Sequence, residues 1–115
     1  MTVCSPEHHF MASAIVAGCF PIAVGVAWEI KRRGGNERVW IFTGDMAAQT
    51  GMAMECYNYA KEHDLPVVWV LEDNGKSVCT ETKSVWPEYR GIKPDYYYQW
   101  TLPWPHAGAG RRIQF

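Results

Sequence analysis

Residues 38–80 read RVWIFTGDMAAQTGMAMECYNYAKEHDLPVVWVLEDNGKSVCT, two short apolar runs separated by one helical run. Val39-Trp40-Ile41-Phe42 is rich in β-branched and aromatic side chains and stops at Gly44, which predicts a buried strand with Asp45 at its C-terminal end. Ala48, Met52, Cys56 and Ala60 then recur every fourth position, until Asp64 and Pro66 end the helix they predict. Val67-Val68-Trp69-Val70-Leu71 predicts a second strand that delivers Glu72, Asp73 and Asn74. Strand, helix and strand of these lengths form a right-handed parallel unit, with both strand ends on one edge of the sheet. Asp45 and Asn74 are thereby expected to be neighbours in space.

Open α/β sheets bind ligands at such an edge. A helix starting after Asp45 would aim the free N–H groups of Met46, Ala47 and Ala48 into the crevice, where they suit a phosphate. The Asp45 carboxylate and the Asn74 amide are hard oxygen donors. With one loop carbonyl and two diphosphate oxygens they would supply most of an octahedral Mg²⁺ shell. Each residue also has a plainer reading: an Asp between strand and helix is commonly an N-cap, and Asn-Gly after a strand is commonly a turn. Both readings stay open on the residues alone.

The run GDM…EDN resembles the thiamine diphosphate fingerprint, Gly-Asp-Gly, a spacer, then Asn. The likeness extends through SAIVAGCFPIAVGVAWEIKRRGGNERVWIFTGD before it and TGMAMECYNYAKEHDLPV within it, covering about residues 12–80. Together these resemble the cofactor-binding subunit of the 2-oxo acid dehydrogenase and transketolase-like group. The resemblance implies a three-layer α/β fold, a parallel sheet with helices on both faces, present here incompletely. It implies that Asp45, the side chain of Asn74 and the carbonyl of Lys76 ligate Mg²⁺. Gly44, Met46 and Ala47 would line the diphosphate, and the backbone from Ala14 to Val16 would hold the aminopyrimidine ring. The third fingerprint glycine is Met46, which a backbone needing positive φ would resist.

The resemblance further implies attack on a 2-oxo acid or ketose, with the cofactor as electron sink. The activating carboxylate belongs to a pyrimidine-binding domain that 115 residues are too short to include. The chain is therefore expected to work with a partner subunit bearing that domain, as a homo- or hetero-oligomer, and to be inactive alone. A noncatalytic α/β binding or assembly module that keeps the scaffold is the alternative, favoured by Met46 and the short length. A generic nucleotide-binding fold fits less well, because neither a Walker lysine pattern nor a GxGxxG after a strand is present.

Length and composition, with 48% hydrophobic residues and a net charge of −1, fit one packed domain without the basic stripe that nucleic acid requires. Pro21 and Glu29 interrupt the best candidate for a membrane span, and no signal peptide opens the chain, so neither membrane nor export is expected and the cytoplasm is. Cys4, Cys19, Cys56 and Cys79 form no CxxC pair, and Cys19 and Cys56 are expected reduced and buried. His8 and His9 are candidates for proton transfer or diphosphate contact, or simply a solvated loop pair.

From Ser13 a helical stretch is predicted, carrying Ile15, Cys19, Ile22, Val26 and Ile30 on one face and kinked or restarted at Pro21, with Gly34-Gly35-Asn36 as its stop. Met46, Met52 and Met54 are expected in the core, and Glu55 on the helix surface or at a subunit contact. Residues 86–115 change composition; Tyr96, Tyr98 and Trp100 alternate with Tyr97 and Gln99 as in a strand, and this aromatic tail is expected to dock on another subunit.

Overall fold

The computed structural model describes residues 2–101. A short antiparallel hairpin, β1 (Val3–Ser5) and β2 (Phe10–Ala12), opens the chain. Helix α1 (Cys19–Arg32), strand β3 (Val39–Gly44), helix α2 (Gly51–Glu62) and strand β4 (Val67–Asp73) follow. A small hairpin, β5 (Lys76–Ser77) with β6 (Thr80–Glu81), leads through the single turn α3 (Thr82–Val85) to strand β7 (Tyr96–Gln99).

The sheet is parallel throughout, in the order β3-β4-β7. Its central strand β4 is the continuous apolar run, and Val67 to Leu71 are all buried, as a strand covered on both faces requires. Strand β3 alternates instead: Ile41 and Thr43 are buried while Trp40 and Phe42 are exposed. Helices α1 and α2 pack on the Ile41 side, where Phe20, Ala27, Ala53, Cys56 and Trp69 form one core. On the opposite side Trp40 stacks on Tyr96 with ring centroids 5.8 Å apart. Among the described residues both long helices thus share one face, and the α/β layer is incomplete as expected.

Four expectations about the helices change. The stretch from Ser13 to Gly18 is a turn, closed by Gly18 N–H on Ile15 O at 2.9 Å, with Ala17 at φ 59°. The helix then starts at Cys19 and buries Phe20, Ala27 and Ile30, so Ile15, Ile22 and Val26 are exposed rather than lining the core. Pro21 falls in the first turn, where its missing N–H costs no bond, and needs no kink. Thr50 caps α2 by accepting the Ala53 N–H at 3.2 Å, and this start phases Ala53, Cys56 and Ala60 inward while Met52 is 45% exposed. Met52 is therefore outside the core.

The β5–β6 hairpin turns on Val78 and Cys79, and Val78 has φ 55°. Tight hairpin turns demand positive φ, which a β-branched residue adopts only under strain. Val78→Gly is expected to raise stability by about 1 kcal/mol, read as a higher urea midpoint with unchanged slope.

Candidate functional site

Asp45 follows β3 and is 4% exposed, and its Oδ1 has no hydrogen-bond partner. A polar oxygen hidden from water and left without a partner is costly. The parallel register pairs Gly44 with Glu72 and Asp73 with Gln99. Asp45, Asp73 and Gln99 consequently form a row across three strand ends, with Asn74 one residue further on. Asp73 is held there: Tyr97 O–H and Gln99 Nε2 donate to its Oδ2 at 2.8 and 3.2 Å, and Gly75 N–H donates to its Oδ1 at 2.9 Å. Burial pushes the Asp73 carboxyl up, but these donors, together with the adjoining Asp45 carboxyl, outweigh it and leave the group below its usual range. The Asn74 Oδ1 accepts the Lys76 N–H at 3.0 Å, which leaves that amide oxygen one further acceptor site.

The turn after Asp45 differs from the helix expected there. A 3-10 turn, Ala47–Gln49, intervenes, closed by Gln49 N–H on Met46 O and Thr50 N–H on Ala47 O, both at 3.2 Å. The amides of Met46, Ala47 and Ala48 precede the first of those donors. Met46 has φ −72°, a conformation open to any L-residue, so the sequence departure from glycine imposes no strain. At Gly44 an added Cβ would meet nothing within 4 Å, because the residue borders open space.

Beneath this turn lies a support that sequence reasoning missed. Buried Gln49 donates from Nε2 to the Asp45 carbonyl at 3.2 Å and accepts the Arg90 N–H at 3.0 Å. Ile92, fully buried, donates its N–H to Ala48 O at 3.1 Å. Gly91 lets the strap approach, since a Cβ there would stand 2.5 Å from Ala48 O. The Tyr89 hydroxyl donates to Ile92 O at 2.6 Å. Burial, followed by the charges of Asp45, Tyr57 and Asp73, pushes this phenol up to about 12 from its usual 10. A folded value above the unfolded one gives stability that is complete below pH 10 and lost as pH rises toward 12. Tyr89→Phe is expected to flatten the fall in thermal midpoint over that window; an unchanged fall would contradict the coupling.

A cavity of about 270 Å³ opens beside the rim. Ala14, Val16, Gly44, Met46, Ala47 and Lys76, six of the eight sequence-predicted site residues, line it. Asp45 borders it through its neighbours Gly44 and Met46, while Asn74 lines an adjoining cavity of about 390 Å³ with Asp73, Gln99 and Trp100. Lys76 lines both cavities. Among the described residues no three His, Cys, Asp or Glu side chains converge as a metal cluster, and the predicted Mg²⁺ set, with a single carboxylate, asks for none. His8 and His9 are exposed on the first hairpin, where His8 Nδ1 and Ser5 Oγ are 2.8 Å apart. Glu55 is exposed on α2. Burial and the nearby Glu55 push the Cys56 thiol up, which makes it a poor nucleophile.

Parallel strands ending beside a cavity, with a buried unpaired carboxylate at their rim, define an α/β protein whose cavity lies at the edge where open α/β sheets bind ligands. Residues 1–89 match the dehydrogenase E1 component family, and the chain belongs to that family. It is 32% identical over 88 residues to the mitochondrial 2-oxoisovalerate dehydrogenase subunit alpha of Mus musculus and of Homo sapiens, covering 76% of this chain and 19% of each relative. It is 35% identical over 75 residues to the pyruvate dehydrogenase E1 component subunit alpha of Rickettsia typhi, covering 65% of this chain and 23% of the relative. The chain thus spans about a fifth of the length of these curated relatives. No described helix is long and apolar enough to cross a membrane.

Proposed function

We propose that the chain is the diphosphate- and Mg²⁺-binding part of a thiamine diphosphate-dependent 2-oxo acid dehydrogenase. The observation that carries this reading is the buried, partnerless Oδ1 of Asp45 at the rim of the cavity. Asp45, the second acceptor site of Asn74 Oδ1 and the Lys76 carbonyl would hold the cation. The amides of Met46 and Ala47 would take the diphosphate, Gly44 leaves room for it, and the backbone of Ala14 and Val16 would support the ring. Bound thiamine diphosphate supplies a carbon nucleophile and an electron sink for 2-oxo acid decarboxylation.

The chain's own residues bind and orient; they move no proton at the reacting carbon. A partner subunit with the pyrimidine-binding domain completes the site in a hetero-oligomer, and the chain is inactive without it. The four free cysteines support a reducing compartment such as the cytoplasm. Neither nucleic acid nor membrane enters this reading. The noncatalytic alternative loses one of its supports, because Met46 adopts an unstrained backbone.

Titration of the chain with thiamine diphosphate and with thiamine, both in Mg²⁺ and followed by tryptophan fluorescence, tests the assignment. Saturable binding of the diphosphate and none of thiamine is expected. Equal affinity for both, or no binding of either, would contradict it.

A further inference from the structure

Asp73 stands where the fingerprint requires no carboxylate. It precedes Asn74 and, by the strand register, faces the same side of the sheet as Asp45, on the neighbouring strand end. Two like charges on adjacent strands oppose each other. Solvent cannot relieve Asp45, which is 4% exposed with Oδ1 partnerless, and among the described residues neither carboxylate forms an ion pair with Lys, Arg or His. The two carboxyls adjoin, and a proton held between them or a cation from solution would supply the missing partner. An ionised carboxylate offers about four acceptor sites; Tyr97, Gln99 and Gly75 occupy three on Asp73, and the fourth faces the adjoining Asp45 carboxyl, where a cation would sit between the two.

We propose that Asp73 is a second carboxylate of the cation site, so that this chain takes up a divalent cation before any diphosphate arrives. The inference rests on the reading of Asp45 as a metal ligand. Asp45, Asn74 and the Lys76 carbonyl bring one negative charge to the ion; Asp73 makes it two, and ligand charge count sets affinity in oxygen-donor sites. Tyr97 and Gln99 of β7 act as positioning residues that hold Asp73 at the rim.

The test is calorimetric titration with Mn²⁺ or Mg²⁺ alone, then with thiamine diphosphate present. Wild-type chain is expected to bind one cation without diphosphate, and Asp73→Asn, isosteric and able to keep the Gly75 bond, to weaken that binding about tenfold or more. With diphosphate present the difference should shrink, because the phosphate oxygens supply the lost charge. Wild-type affinity in Asp73→Asn without diphosphate would overturn the role of Asp73. Retained cation binding in Asp45→Ala would instead overturn the site on which the inference rests. Should Asp73→Asn fail to fold by circular dichroism, Tyr97→Phe carries the test. Loss of the hydroxyl that holds Asp73 at the rim is expected to weaken cation binding severalfold, and unchanged or tighter binding would overturn the proposal.

Discussion

Asp45→Ala is expected to abolish Mg²⁺-dependent binding of thiamine diphosphate while leaving the unliganded chain as stable as before or more so. The two effects share one cause. A buried carboxylate oxygen without a partner carries its full desolvation cost, about 1–3 kcal/mol or more for a charged group, until a cation neutralises it. Removing the carboxylate removes that cost in the empty chain and the cation's ligand in the loaded one. A residue needed only for folding would show the opposite pattern. The urea midpoint and the diphosphate titration, measured on the same preparation, read the two effects separately, and a variant that lost stability but still bound with Mg²⁺ would contradict the assignment.

Trp69→Ala is expected to cost about 3–5 kcal/mol, the range for truncating a buried large aromatic. Trp69 is fully buried in the central strand, between the edges of Phe20 on α1 at 5.6 Å and Tyr57 on α2 at 5.5 Å. It is a sheet side chain that meets an aromatic ring from each helix. Against a total stability of about 5–15 kcal/mol for a domain, such a loss populates the unfolded state at room temperature. Its backbone N–H bond to Asp95 Oδ2, at 2.8 Å, survives the substitution, so the loss reports packing. Trp69→Phe keeps most of the ring and should cost much less. A loss below about 1 kcal/mol for the alanine variant, well under the range for such truncations, would show that the core closes over the gap.

The strand–helix–strand unit was legible because its periods are clean. An unbroken apolar run can be only a central strand or a buried helix, and five residues before an acidic pair are too few for a helix. Parallel topology then brought Asp45 toward Asn74 without any contact information, and the Tyr96–Gln99 strand followed from alternation alone. The phase of α1 was not legible. Its small residues, Ala23, Gly25 and Ala27, allow several inward faces, and the turn at Ala17, with positive φ, displaces the start by a few residues. The Gln49–Arg90 contact spans 41 positions with no periodic signal, and the close approach at Gly91 depends on where Ala48 O lies in space. Nothing in the sequence sets Asp73 apart from Glu72; the register of β7 does, by placing Tyr97 and Gln99 beside it. The closing segment from residue 102 lies outside the described residues, so the docking expected of it rests on the sequence; Tyr96, Tyr97, Tyr98 and Trp100 before it are exposed.

Calorimetric titration of thiamine diphosphate into the wild-type chain, once in Mg²⁺ and once in a chelator, tests most directly that the rim carboxylate and the cavity form one cation-and-diphosphate site. Binding in Mg²⁺ that disappears in the chelator is the expected result. Binding of equal strength in both, or in neither, would contradict it.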